Sequence, residues 1–282
     1  MLINKALRKS IDHFIREDDL DRNLVYMTKL PTEVVKCHLK LKSDMVLAGL
    51  PFFFEVFNYL EEGVIDYREF VNQYEGKRIR HEDKEIIDFE LPFHIALTGE
   101  RLALNLLHRA SSVATSTYRV CSKVVNTDLK VLDTRKTTPG LRFLEKYAVV
   151  AGGGFNHRYG QADTWMIKDN HKKIFGGLKE ALSFFQSLKG FYQPIVVEIH
   201  DLDELKQAIE LGVEHVMLDN FSHEDIKTAV TLKKANMTYE VSGGITLETI
   251  ESYAIEGVDA ASMGSLTSYP ANVDISLKFE KK

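Results

Sequence analysis

Apolar and polar positions follow two different grammars along the chain. Near the start, Leu2, Ile3, Ala6, Leu7, Ile11, Phe14 and Ile15 recur at helical spacing. They predict an amphipathic surface helix and lack the unbroken apolar core of a secretory signal. KCHLKLK (36–42) and IIDFELPF (86–93) alternate as strands do, whereas PFFFEVFNYLEEG (51–63) has the spacing of a helix. Together they predict an α+β unit of about a hundred residues. A further helix is predicted in GERLALNLLHRASSVATS (99–116), with its apolar stripe through Leu102, Leu106, Leu107, Ala110 and Val113. The most apolar stretch, 45–57, is broken by Gly49 and Pro51 and falls far short of the ~20 residues needed to cross a bilayer.

Beyond residue 128 the pattern changes. Short apolar runs recur as LKVLDT, YAVVAGGG, TWMIKDN, PIVVEIHD, HVMLDN, TYEVSGG and AASMGS. Helical stretches lie between the later ones, with N-cap signals at Asp201-x-x-Glu204 and Ser222-x-x-Asp225. Seven β runs alternating with helices predict a parallel sheet, either closed as a barrel or open and doubly wound. The runs share no sequence repeat, which excludes a solenoid.

Candidate chemistry collects where these runs end. Almost every one terminates in polar or glycine-rich residues: Asp133 to Lys136, Gly152 to Gly154, Lys168 to His171, Glu198, Asp219-Asn220, Ser242 to Gly244, and Gly264-Ser265. In α/β folds the carboxyl ends of parallel strands converge on one face, and the site lies there. Arg135, Lys136, His157, Arg158 and Lys168 bring positive charge, and Glu198 and Asp219 bring carboxylates. Such a set suits a substrate with several negative charges plus hydroxyls or a magnesium ion. SGGITLETI adds strand, two glycines and helix, an arrangement that offers backbone N–H groups to an anion.

Composition narrows the classes. With 36 Lys plus Arg against 41 Asp plus Glu, the net charge of −5 argues against a general nucleic-acid binder. Cys37 and Cys121 form no CxxC pair, so a disulfide framework and a structural zinc site are not expected, and a reducing, cytoplasmic setting is. A Walker motif is missing, and in GGGFNHRYG His157 stands where a dinucleotide fingerprint needs its last glycine. The ten histidines show no HExxH and no metal-ligand spacing, with His94, His108 and His215 expected to be packed or on the surface. No G-x-S-x-G elbow occurs, and Cys121 has no evident activating base.

The stretch DTRKTTPGLRFLEKYAVVAGGGFNHRYGQADTWMIKDNH (133–171) closely resembles the signature of the quinolinate phosphoribosyltransferase family. The similarity extends over about Gly99 to Thr267, through VMLDNF, EVSGGITLETI, YAIEGVD and GSLT. Before Gly99 the best fragments are REDDL and LAGLPFFFEVF. The resemblance implies an α/β fold of the type II phosphoribosyltransferases: an N-terminal α/β sandwich (1–105), joined by the C-terminal tail (269–282), and a seven-stranded α/β barrel (106–268). It implies transfer of phosphoribosyl from phosphoribosyl pyrophosphate to quinolinate, giving nicotinate mononucleotide, pyrophosphate and CO2 for NAD synthesis.

Site roles follow by matched position. Arg135, His157, Arg158 and Lys168 would hold the quinolinate carboxylates, with Lys136 shared with the pyrophosphate. Arg101 would reach the neighbouring subunit's site, making a homodimer the minimal unit and leaving a hexamer open. Glu198 and Asp219 would face the ribose hydroxyls and, through the substrate, Mg2+; Ser242, Gly243, Gly244, Gly264 and Ser265 would cradle the 5-phosphate. Three positions depart from the family pattern. REDDLDRNLVYMT lacks the usual Gly-Asp-x-Thr element, Val196 replaces the first glutamate of Glu-Val-Glu, and Ser268 stands where Leu-Thr-His ends. Alternatives are a molybdenum-transport-associated relative, a nicotinate phosphoribosyltransferase and a non-catalytic anion-binding barrel. Lys168 to His171 favours the quinolinate enzyme over the first. A monocarboxylate would need fewer cations, and a non-catalytic barrel would have lost Lys136, Glu198 or Asp219.

Overall fold

The computed structural model describes residues 2–18 and 28–282, which form two compact units. The first comprises residues 1–116, 138–153 and 270–282, and the second residues 117–137 and 154–269. Most of the segment expected to carry Gly-Asp-x-Thr (16–28) lies outside the described residues.

In the first unit, strands β1 (Val34–Leu41), β4 (Ile86–Pro92) and β11 (Ile275–Lys281) form an antiparallel sheet in the order β11-β1-β4. The alternation seen in the sequence becomes burial of one face: Val35, Cys37, Leu39 and Leu41 point inward, with Ile87, Phe89 and Leu91 beside them. Leu39 pairs with Leu277 of the C-terminal tail and with Ile87. Helix α1 (Leu2–Glu17) buries Leu7 and Ile11. Helix α2 (Leu50–Leu60) sets Phe53, Phe54 and Phe57 against Phe89 in edge-on and tilted ring contacts. Glu75 caps α2, accepting the amides of Gly49 at 2.7 Å and Leu50 at 2.9 Å. Short strands β2 (Met45–Val46) and β3 (Arg78–Ile79) and helix α3 (Arg68–Tyr74) complete this part.

One predicted strand is a helix. YAVVAGGG belongs to α5 (Arg142–Ala151), which follows α4 (Phe93–Lys123) and β5 (Lys130–Leu132) in the chain. Leu144 and Ala148 are four apart and share a buried face with Val149. Phe143 and Tyr147, also four apart, both meet the ring of Phe52. Arg109 donates to the fully buried Glu145 at 2.8 Å. A short apolar run cannot by itself distinguish a buried helix face from a buried strand, and here these contacts decide for helix.

The second unit is a six-stranded parallel sheet in the order β5-β10-β9-β8-β7-β6. Its other strands are β6 (Trp165–Ile167), β7 (Ile195–Ile199), β8 (His215–Asp219), β9 (Thr238–Ser242) and β10 (Ala260–Ser262). The seventh position survives as one residue, Phe155, bridged in parallel to Leu132 on the edge of β5 that β10 leaves free. With strands of three to five residues the sheet is barrel-like. Helices α6 (Asp169–Phe175), α7 (Leu178–Leu188), α8 (Leu202–Glu210) and α9 (His223–Thr231) alternate with strands, and a short α10 (Ser265–Ser268) follows β10. Asp201 caps α8 and Ser222 caps α9 through the predicted side-chain bonds.

Alternate residues along each strand have opposite fates. Ile167, Val197, Val216, Leu218, Tyr239, Val241 and Ala261 belong to the core shared with the helices. Met166, Glu198, Met217, Asp219, Ser242 and Ser262 take the other parity and line a cleft. The period of two thus separates packing from chemistry. Among the described residues no helix is long and apolar enough to cross a membrane.

Candidate active site

The cleft has a volume of about 780 Å3 and is lined wholly by residues of the second unit. Arg135, Lys136, His157, Arg158, Lys168, Glu198, Asp219, Ser242, Gly243, Gly244, Gly264 and Ser265 all line it. Arg101 does not: it is exposed on α4 within the first unit.

Sequence places the cations by hard constraints on the backbone. Asp133, the residue after β5, is fully buried, its oxygens accepting the His157 amide at 2.8 Å and Asn156 Nδ2 at 2.7 Å. This clamp fixes the Asn156-His157-Arg158 turn beside the Arg135-Lys136 loop. Thr267 Oγ1 donates to the Lys136 carbonyl at 2.6 Å and ties that loop to α10. Gly264 lets the Lys136 side chain pass close, since a Cβ there would stand 2.8 Å from Lys136 Cδ and displace it. Gly243 has φ +99°, and its Cβ would collide with the Asn220 side chain. Asn220 is itself left-handed, at φ 57°, a conformation asparagine tolerates better than most residues.

The electrostatics fall into two groups. Arg135, Lys136 and Arg158 have no carboxylate partner within ion-pair distance among the described residues, so structural ion pairing does not account for them. Arg158 donates to the Thr164 carbonyl at 2.8 Å. Burial, and next the like charge of Arg135, push its pKa below the ordinary guanidinium value. These two cations repel one another, and an anion between them would relieve both.

The second group is paired. Lys168 Nζ lies 2.5 Å from Glu198 Oε2. Asp219 accepts from Ser242 Oγ at 2.5 Å and from Asn220 Nδ2 at 2.8 Å. His200, which no sequence motif singles out, also belongs here: its Nε2 lies 2.6 Å from Asp169 and 3.6 Å from Glu198, and its Nδ1 3.7 Å from Asp219. Asp169, Glu198 and His200 thus offer ligand atoms within 4.8 Å of one another and could hold a metal ion. The three come from two strand ends, a grouping that linear histidine spacing does not show. Burial would raise the Asp169 pKa, but Lys172 and His200 bring it below the usual carboxylate value.

Val196 lies on β7 two residues below Glu198, and Ser268 lines the cleft mouth beside the exposed Tyr269. His94, His108 and His215 make contacts within the protein, with Glu61, the Ile275 carbonyl and Thr238.

A barrel-like parallel sheet with unpaired cations, paired carboxylates and glycine turns at its strand ends defines an anion-binding site of the α/β class. Models of the quinolinate phosphoribosyl transferase N-terminal and C-terminal domains match residues 24–111 and 113–278. The chain belongs to the quinolinate phosphoribosyltransferase family. It is 37% identical over 263 residues to nicotinate-nucleotide pyrophosphorylase [carboxylating] of Dictyostelium discoideum, covering 87% of this chain and 86% of that one. It is 34% identical over 284 residues to the human protein of the same name, covering 98% and 93%. The crystal structure of nicotinate-nucleotide pyrophosphorylase from Ehrlichia chaffeensis superposes with a TM-score of 0.86 at 31% identity, covering 96% of this chain and 97% of that one. Human nicotinic acid phosphoribosyltransferase, at 14% identity and a TM-score of 0.56, shares the fold alone.

Proposed function

We propose that the cleft joins quinolinate to phosphoribosyl pyrophosphate, releasing pyrophosphate and CO2 and leaving nicotinate mononucleotide. The observation that carries this is the trio of unpaired cations, Arg135, Lys136 and Arg158, beside the paired Lys168. Two guanidiniums that repel one another match adjacent carboxylates on one ring, each able to accept a planar fork of N–H bonds. A monocarboxylate would leave one of them uncompensated.

In this reading Arg135 and Arg158 take the two carboxylates, with Lys168 and the His157 ring bordering them. Lys136, whose side chain passes over Gly264, faces the pyrophosphate. Glu198 and Asp219 face the ribose, and the Ser242–Gly244 and Gly264–Ser265 turns receive its 5-phosphate. The pyridine nitrogen's lone pair forms the bond to ribose C1 as the bond to pyrophosphate breaks, and that electron pair leaves with the pyrophosphate. Glu198 and Asp219 stabilise the positive sugar, and Lys136 the departing negative charge. The ring nitrogen, now quaternary, stabilises the carbanion left when the adjacent carboxylate departs as CO2, and the carbon is then protonated. No covalent enzyme intermediate is needed; positioning and electrostatics carry the rate.

Magnesium fits the donor set, since Glu198 and Asp219 offer hard carboxylate oxygens at converging strand ends. Bound with the pyrophosphate, it would neutralise charge on the leaving group. We assign Arg101 to the partner's site in a homodimer, because it lies outside the unit that forms the cleft. We assign the protein to the cytoplasm, on its two free cysteines. The test is the relative turnover of quinolinate and nicotinate with phosphoribosyl pyrophosphate and magnesium. Strong preference for quinolinate is expected; equal or better use of nicotinate would overturn the assignment.

A further inference from the structure

Beneath the cations lies a carboxylate that this mechanism does not use. Glu240 sits in the middle of β9, between Tyr239 and Val241, which are 0% and 1% exposed on the opposite face. Its neighbours in register are Met217 on β8 and Ala260 on β10, both apolar. The Glu240 side chain is 12% exposed, and its Oε2 lies 3.2 Å from Nε2 of His157, itself 9% exposed. The other oxygen, Oε1, is buried with no hydrogen-bond partner among the described residues. A half-satisfied carboxylate among methionine and alanine is an expensive way to fill a barrel floor. An apolar side chain would serve the fold better.

The His157 ring shows what the carboxylate is for. Its Nδ1 accepts the Arg158 amide at 2.6 Å, so that nitrogen carries the lone pair and Nε2 carries the proton facing Glu240. Two carboxylates therefore hold the turn. Asp133 grips its main chain, and Glu240 faces the ring whose other nitrogen accepts the Arg158 amide. From the Arg158 guanidinium the chain runs on to the Thr164 carbonyl.

We propose that Glu240 is a positioning residue for the dicarboxylate end of the cleft. It fixes the tautomer and orientation of His157, and through His157 the main chain that aims Arg158. It touches neither substrate. The inference rests on the functional reading above for the identity of the substrate, but not for the coupling itself. Its specific consequence is asymmetry: disturbing Glu240 weakens capture of the pyridine substrate and spares the sugar-phosphate end, because the Ser242–Gly244 turn that follows on the same strand is held by its own bonds, Ser242 Oγ to Asp219 and the Asn220 amide to the Ser242 carbonyl.

Glu240→Met and Glu240→Gln separate this role from a structural one. Glu240→Met fills the space without an acceptor and should melt at or above the wild-type temperature. Its KM for quinolinate should rise at least ~10-fold, the scale seen when a residue supporting a ligand is lost, with KM for phosphoribosyl pyrophosphate within about twofold of wild type. Glu240→Gln keeps an oxygen that can accept from Nε2–H and should recover most of the loss. In parallel, long-range 1H–15N spectra of the histidine rings should show His157 as the Nε2–H tautomer in wild type and in Glu240→Gln, but not in Glu240→Met. An unchanged quinolinate KM in Glu240→Met would overturn the proposal, as would equal rises in both KM values with a lowered melting temperature, or a Gln variant no better than Met. If wild-type protein does not use quinolinate at all, the functional reading fails on its own. The ring spectra then still decide the coupling: an unaltered tautomer in Glu240→Met refutes it.

Discussion

Replacing Arg135 by glutamine separates a binding cation from a structural one, because the two roles predict opposite changes in stability. Arg135 has no carboxylate partner within ion-pair distance among the described residues, and its charge disfavours the cationic form of Arg158. Removing it costs the empty protein no ion pair and relieves a like-charge contact worth up to ~1 kcal/mol at a partly exposed site. The melting temperature should hold or rise by up to ~3 °C. Catalysis should suffer heavily. A guanidinium fork gives a carboxylate two charge-assisted hydrogen bonds, each worth about 1.5–3 kcal/mol, of which glutamine replaces at most one neutral bond. A net loss of about 3–4 kcal/mol corresponds to a ~10²–10³-fold fall in kcat/KM for quinolinate. Steady-state kinetics with each substrate varied in turn, alongside thermal melts, measure both. A variant that melts several degrees lower yet keeps near-normal kcat/KM would refute the reasoning and return Arg135 to structure.

Other outcomes follow from the same geometry. Glu198→Ala, which unpairs Lys168 and, in the proposed reading, removes a carboxylate from the ribose, should lower kcat at least ~100-fold; a near-normal rate would make Glu198 structural. Arg101→Ala and Lys136→Ala should each be nearly inactive alone, and mixing them by unfolding and refolding should restore roughly a quarter of wild-type activity, since half the dimers are mixed and one of their two sites is intact. No recovery despite verified exchange would mean that Arg101 acts within its own chain or only structurally. Burial pushes the Cys37 thiol up to about 12 and Cys121 up to about 11. At pH 8 their thiolate fractions are therefore ~10⁻⁴ and ~10⁻³, and alkylation of native protein should be slow, becoming complete on denaturation. Rapid labelling without unfolding would contradict the burial.

Much of the architecture was legible because burial on one face imposes a period. Cys37, Leu39 and Leu41 announced β1, and the place of Glu198, Asp219 and Ser242 at the ends of apolar runs announced the cleft. YAVVAGGG failed because an apolar run of that length satisfies either geometry, and the deciding contacts, Phe52 on Tyr147 and Arg109 on Glu145, come from residues far away in sequence. The unpaired state of Arg135 and Arg158 was equally invisible, since a string of letters shows a charge but not its neighbours. His200 and Glu240 escaped as functional candidates, and Asp133 as the clamp of the 156–158 turn, for a related reason. Each is one polar residue within or just after an apolar run, and only the register of β5 to β9 and the turn at 156–158 brings them to the others. A carboxylate at an axis-facing strand position, as Glu240 is among Met217 and Ala260, is the signal that could have found one of them.

The central claim is that this cation-lined strand end couples glycosyl transfer to loss of one carboxylate. The direct measurement is a mass balance: purified protein with phosphoribosyl pyrophosphate, magnesium and quinolinate labelled with 13C in the carboxylate next to the ring nitrogen. Labelled CO2, pyrophosphate and unlabelled nicotinate mononucleotide should appear in equal amounts, and each should vanish when phosphoribosyl pyrophosphate is omitted. Nucleotide retaining the label, or no nucleotide at all from active, folded protein, would contradict the account.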